Sequence, residues 1–379
     1  MTSPSASTRF RGLTWDHPRG RAALEAAAAA SPGLISWDAH SLEGFESAPI
    51  DDLARRYDVI VLDHPHLGDA LATDSLRPLG ELFDREWLDA LEGASVGPSL
   101  ASYRLGGDVW ALPLDAATQV AALLPERVRS APRTWGEVLA LSHHEPVALS
   151  LAGPHAFLTF ASLCVALGEE PRTEPGSGFV SEPVAERALS LLRDLAGRAP
   201  EGSALLNPIG LLERMRRDRD LSYVPLVYGY VNYTAGDDGL RFADAPAARQ
   251  GSRRGSTIGG TGLAISRRAA VDDELLEHLR RLLDPVVQAG FIPDHEGQPS
   301  ARSAWLDERV NAASRSFYRA TLKTIESAWV RPRVAGFTAF QSEASELVRK
   351  AVIARADARA AIRELDRRFD ALAREGALR

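Results

Sequence analysis

The chain has 379 residues, 45% of them apolar and 25% charged, the profile of a soluble globular protein long enough for two α/β lobes. Its formal net charge of −7 argues against a nucleic-acid partner, whose phosphates call for a basic surface. No run approaches the roughly 18 apolar residues of a membrane span, so membrane insertion is not expected.

The N-terminal stretch MTSPSASTRFRGLTWDHPRG lacks the apolar core and small-residue cleavage site of an export signal. It also lacks an early lipidation cysteine. The expectation from these features is a cytoplasmic protein. Arg11 to Trp15 reads as a first strand running into the polar turn Asp16-His17-Pro18-Arg19-Gly20, and the alanine-rich stretch that follows, including Ala26 to Ala30, reads as helix. Leu34 to Trp37 and Tyr57 to Leu62 read as the next strands, the latter stopping at Asp63-His64-Pro65-His66. Gly106 to Asp115 is strand-like but interrupted by Pro113. Helical blocks open near Pro132 and run from about Ala156 to Leu167, over Pro183 to Ala199 and around Ile209 to Arg219. The stretch Glu170 to Glu182, rich in Pro, Gly, Ser and Glu, reads as an exposed loop. Leu221 to Tyr230 is again strand-like, and a glycine-rich crossing from Gly251 leads into a strand at Gly262 to Ser266. The remainder reads as helix. There is no internal repeat of fixed period.

Several stretches in this order resemble the family 1 extracellular solute-binding proteins, the maltose-binding-like branch of the periplasmic binding proteins. They are GGDVWALPLDAATQV (106–120), PRTWGEVLAL (132–141), GSTIGGTGLAISRRA (255–269) and GQPSARSAW (297–305). The resemblance spans nearly the whole chain. It implies a two-lobed α/β fold of type 2 with a ligand cleft between the lobes. Lobe one would comprise 8–112 and 261–308, and lobe two 113–260 and 309–379. The chain would cross near Pro113, Gly260 and Asp307, and the crossings would act as a hinge. The absence of an export signal departs from the family pattern and puts transport in doubt, not the fold.

Candidate site residues follow from where strands end, because open α/β sheets bind ligands beyond their carboxyl edges. Trp15, Asp16 and His17 offer an aromatic face, an acceptor and a donor. The bland alternative is a proline-ordered turn with an Asp16 helix cap and a half-buried tryptophan. In Asp63-His64-Pro65-His66, histidines two apart on an extended segment would point to one side, which invites a metal or a polar ligand. H-x-H alone is weak, and no metal site is expected. Asp115 follows the crossover and reads equally as ligand contact or hinge support. His143-His144 reads as exposed surface.

Tyr228, Tyr230 and Asn232 concentrate rings and an amide suited to stacking on and orienting sugars. Alternation would expose one set of these tyrosines and bury the other. Gly260 and Thr261 sit in a glycine-rich turn whose amides can approach a ligand. Gln298, Arg302 and Trp305 resemble a late cleft wall, and Arg331 with Arg333 suits bidentate capture of an anion or ion pairing within the protein.

Cys164 is the only cysteine, which excludes an intramolecular disulfide, a cysteine-based zinc site and an iron–sulfur cluster. Lysine occurs only at Lys323 and Lys350, in polar helical stretches poorly suited to a Schiff base, and no cofactor is expected. No catalytic signature motif is present. The leading expectation is a ligand-binding protein enclosing a small polar molecule, sugar-like or anionic. One rival is an enzyme using Asp16, His17, Asp63, His64 and His66 for general acid–base chemistry, as a lyase, isomerase or hydrolase. Another is a regulatory subunit that reports its ligand to a protein partner.

Overall fold

The computed structural model describes residues 8–376. The chain divides into two units, one running to Ala116 and including Gly260–Val310, the other comprising Ala117–Gly259 and the chain from Asn311 onward. The first two passages between units lie inside strands, Leu112–Leu123 and Ile258–Ile265. No helix among the described residues is long and apolar enough to cross a membrane.

Unit one is built on three parallel strands, β1 (Phe10–Trp15), β2 (Ile35–His40) and β3 (Val59–Leu62), with helix α1 (Pro18–Ala29) joining the first two. β1 pairs with β2 from Phe10↔Ile35 to Trp15↔His40, and with β3 at Gly12↔Val59 and Leu13↔Ile60. The return strand Ile258–Ile265 runs antiparallel to β3, from Leu62↔Gly262 to Val59↔Ile265. All four β3 residues, Val-Ile-Val-Leu, are buried, as an uninterrupted apolar run requires of a strand covered on both faces. Pro18 supplies the preset φ of a first helical residue, so the helix starts immediately after the turn. Leu13, Ile60, Leu62, Leu67, Tyr103 and Ala264 form the core.

In unit two the long strand Leu112–Leu123 pairs antiparallel with Tyr223–Tyr228, with a shift in register between Val120 and Ala122, and with Arg241–Ala243. Helix His155–Ala166 is buried along its whole length, the fate of a helix that is apolar all round. It packs among Glu182–Ala196, Phe337–Val352 and, through Phe179, the C-terminal helix Ala358–Gly376. Phe157, Phe179, Phe337, Phe340 and Phe369 interlock there, with ring centroids 5.1–6.2 Å apart in tilted and edge-on pairs.

Three local expectations are corrected. Pro113 does not break its strand, because it stands near the start, where proline's missing amide is tolerated. The histidines of Asp63-His64-Pro65-His66 lie in a single 3-10 turn and not on an extended segment. The strand carrying Tyr228 ends at that residue, and Val231–Thr234 forms a 3-10 turn, so two-residue alternation does not govern Tyr230 and Asn232.

Gly255 shows how closely unit two is packed. A Cβ at this position would lie 1.8 Å from the Ser162 carbonyl oxygen and 2.5 Å from the Ala166 amide, both backbone atoms of the buried helix. Gly255→Ala is therefore expected to destabilise the protein by about 1–3 kcal/mol, the usual cost of overpacking. Urea unfolding measures it, and an unchanged midpoint would show that this contact yields freely.

Candidate functional site

In unit one the carboxyl ends of β1, β2 and β3 gather the candidate groups at one edge. Trp15 is 3% exposed, its ring stacked on His17 at a centroid distance of 5.2 Å and flanked by Phe45 at 5.8 Å. His17, not Asp16, caps α1: its Nδ1 accepts a hydrogen bond from the Arg19 amide at 3.1 Å. Since an amide can only donate, Nδ1 carries no proton and the neutral ring holds its hydrogen on Nε2. Burial, with the nearby Arg19 charge, pushes the His17 pKa down to about 4, so the ring is neutral at pH 7. Asp16 faces outward and pairs with Arg21 at 3.0 Å.

From β3, His64 is fully buried. Its amide donates to Asp63 Oδ1 at 2.9 Å, its Nδ1 lies 3.0 Å from the same oxygen, and its ring meets Tyr103 edge-on. His66 is buried close to His40, whose pKa is lowered by burial and then by the His66 and Arg56 charges. His40, which ends β2, belongs to this edge and is absent from the sequence-derived candidates. A strand-end position is its only signal in the sequence. Among the described residues no group of three or more His, Cys, Asp or Glu side chains is placed to hold a metal ion.

Asp115 is tied into unit one by a buried ion pair. Arg19 grips it bidentately, Nε to Oδ2 at 2.8 Å and Nη2 to Oδ1 at 2.5 Å, with both side chains buried. Its backbone bridges to Pro299, and Gln298 closes a reciprocal pair with Ala116: the Ala116 amide donates to the Gln298 carbonyl and Gln298 Nε2 donates to the Ala116 carbonyl at 3.1 Å. Trp305 is 1% exposed, its Nε1 donating to the Pro299 carbonyl, while Arg302 is exposed. Gln298 and Trp305 thus order the segment that braces Asp115. Gly260 and Thr261 lie within the return strand instead of in a turn. Gly260 holds φ +95°, a conformation open to glycine, and Thr261 is buried.

In unit two Tyr228 and Asn232 are partly exposed, whereas Tyr230 and Tyr233 are buried. The Tyr228 ring lies so close to Gly259 that a Cβ there would come within 2.6 Å of its Cε1. His155, at the start of the helix His155–Ala166, meets this ring at a centroid distance of 6.0 Å. Its own pKa is pushed down to about 3 by burial and then by the Arg331 charge. Arg331 is 3% exposed; its Nη1 donates to Gln341 Oε1 at 3.2 Å and its Nη2 to the Ile258 carbonyl at 3.3 Å. His155 escaped the sequence reading because a histidine entering an apolar helix looks like packing. His143 and His144 are exposed.

No protein-family model matches the chain, and no curated protein matches its sequence. Many solved structures match by fold. An ABC-transporter solute-binding protein from Agrobacterium radiobacter K84, in complex with ribitol, superposes with a TM-score of 0.79 at 17% identity, covering 98% of this chain and all of that one. Maltose-bound MalE3 of T. maritima gives 0.79 at 16% identity, covering 97% of this chain and 100% of that one. The GacH receptor of Streptomyces glaucescens, solved unliganded and with acarbose, gives 0.77 at 15%, covering 97% and 98%. The chain has the two-lobed α/β fold of these solute-binding proteins.

Two measurements check this geometry. Asp115→Ala leaves the Arg19 guanidinium buried without its carboxylate and is expected to cost about 3–5 kcal/mol in urea unfolding. The double replacement of Arg19 by Met and Asp115 by Leu should recover most of that loss, and equal losses in both variants would deny the pair its role. The second measurement is the pH dependence of stability. Unfolded histidine takes up a proton near pH 6.5, while folded His155 and His17 refuse it until about 3 and about 4. Stability is therefore complete above pH 6.5 and falls as the pH drops below it, by up to about 1.4 kcal/mol per pH unit for each refused proton. The share of His17 is smaller, since its ring is only partly buried. His155→Gln should flatten the decline between pH 6.5 and 4.5, and an unaltered slope would contradict this assignment.

Proposed function

We propose that this protein binds a small polar, sugar-like molecule. Its contact groups would be those of the strand-end edge of unit one, with His17 and Asp16 foremost. The observation that carries the reading is the convergence of aromatic and polar side chains at the carboxyl ends of parallel β1, β2 and β3, the position at which open sheets take ligands. Support comes from the fold, shared end to end with proteins whose solved complexes contain ribitol, maltose and acarbose. Rings with adjacent hydrogen-bonding groups suit a polyhydroxylated ligand, whose C–H faces stack while its hydroxyls are oriented.

Thermal-shift screening across polyols, mono- and oligosaccharides, followed by calorimetry on any hit, tests the proposal. A stabilising ligand is expected, and His17→Ala should weaken its binding by about 1–3 kcal/mol, the usual cost of losing a buried polar partner. His64 is unsuited to this test, because its complete burial makes truncation a packing defect first. A screen without any stabilising sugar or polyol, or variants that bind as tightly as the parent, would overturn the proposal. Unchanged ligand recovered from the complex separates binding from turnover.

A further inference from the structure

A recess lies wholly within unit two and shares no residue with the proposed sugar-contacting group. Its volume is about 660 Å³, and the segments 130–133, 243–247 and 250–254 wall it together with the last turns of helix Phe317–Glu326. Four cationic side chains line it, Arg133, Arg253, Arg254 and Lys323, against one acid, Asp244. On a chain of net charge −7 this is a local reversal of sign.

How these charges are held matters more than their number. Asp244 is engaged by the protein: it accepts from the Thr324 amide at 2.9 Å and the Thr324 hydroxyl at 2.8 Å, and lies 3.4 Å from Arg254 Nε. Arg254 is anchored by Nη1 on the Ala245 carbonyl at 2.7 Å. Arg253 places Nε and Nη2 on the Ser327 carbonyl at 3.1 and 2.7 Å, and its Nη2 also pairs with Glu170 at 2.5 Å. Backbone carbonyls thus fix both guanidinium planes, each with one acid beside it, so that Arg133 and Lys323 supply the cationic excess of the lining. Arg133 and Lys323 are exposed at the rim. A recess of this size accommodates a ligand larger than a bare ion. Planar guanidinium groups match the paired oxygens of a phosphate, and an ammonium group adds a point charge.

We propose that this recess of unit two is a binding site for a small phosphate-bearing molecule, separate from the sugar-contacting group. The phosphate would be held by Arg253, Arg254, Arg133 and Lys323. Inorganic phosphate, pyrophosphate and glycerol 3-phosphate are the probes, titrated by calorimetry into the full chain at low ionic strength, where surface charges are least screened. At least one probe should bind with a Kd below about 1 mM. The double variant Arg133→Glu with Lys323→Glu replaces two exposed side chains and should weaken that binding by roughly tenfold or more, as expected for lost charge-assisted hydrogen bonds. Arg85→Glu, an exposed reversal in unit one, should leave it unchanged. Preference for glycerol 3-phosphate over inorganic phosphate identifies a phosphorylated metabolite as the source, and the reverse order identifies the free ion. Binding of none of the three overturns the site, as does equal affinity in the parent and the double variant. Equal weakening by Arg85→Glu would reduce the effect to the long-range field and would likewise overturn it. Binding of sugars or polyols by the double variant should match the parent, so failure here is distinguishable from failure of the sugar-binding proposal.

Discussion

The buried ion pair between Arg19 and Asp115 is the constraint on which unit one depends. Arg19 stands in the first turn of α1 and Asp115 near the start of the strand that carries the chain out of the unit. Their two parallel contacts of 2.5 and 2.8 Å tie the β1 edge to that exit strand. Burying two charges is costly, and the attraction between them repays it only when the remaining polar groups are satisfied. The strand that carries Asp115 is itself held in place, since Pro299 bridges the Asp115 backbone, Gln298 pairs with Ala116 and Ser300 donates to the Pro113 carbonyl. The late segment 298–305 thus braces a pair formed by residues far from it in sequence.

The same pair sets the character of the strand-end edge. Arg19 donates its amide to His17 Nδ1 and directs its guanidinium to Asp115, so one residue both caps the helix and fixes the tautomer of the neighbouring histidine. The positive charge beside a half-buried ring also holds that ring neutral. His40 is depressed in the same direction by burial and by its own neighbours. The neutral imidazoles of His17 and His40 and the stacked Trp15 ring offer directional donors and acceptors without charge of their own. That suits recognition of an uncharged polyhydroxyl better than an array of ionised acids and bases would. Asp16, the carboxylate most available for acid–base work, is instead solvent-facing and paired with Arg21.

Unit two separates two kinds of polar surface. His155 and Arg331 sit in a largely apolar interior, where burial keeps the imidazole neutral and the arginine is held by Gln341 and a backbone carbonyl. Around Asp244 the charges lie at an open recess, where solvent lowers the cost of their proximity. The Thr118, Ser162, Ser256 and Thr257 hydroxyls and Gln119 form a buried network beside the Tyr228 strand, and each satisfies another member. A network of this kind tolerates a single register, which helps to place Tyr228.

Much of the architecture was legible in the sequence because it rests on local periodicity. The β-rich run ending at Leu62, the proline-started helix after His17 and the largely apolar block around Phe157 declare their type within a few residues. The ordered stretches from Gly106 to Trp305 carried the fold by resemblance, and the end-to-end structural likeness agrees with it. Local pattern left open which polar residues are spent on structure. Asp115 read evenly as ligand contact or hinge support, and its buried partner, Arg19, stands ninety-six positions away. Trp305 looked like a wall residue until tertiary packing buried it, and His64 and His66 looked extended until Pro65 bent them into a turn. His155 and the cations around Asp244 were silent, since segments distant in sequence create their surroundings. A residue's type and spacing determine what it can do, whereas its burial and partners come from chain far away in sequence, and those decide which of its capacities remains in use.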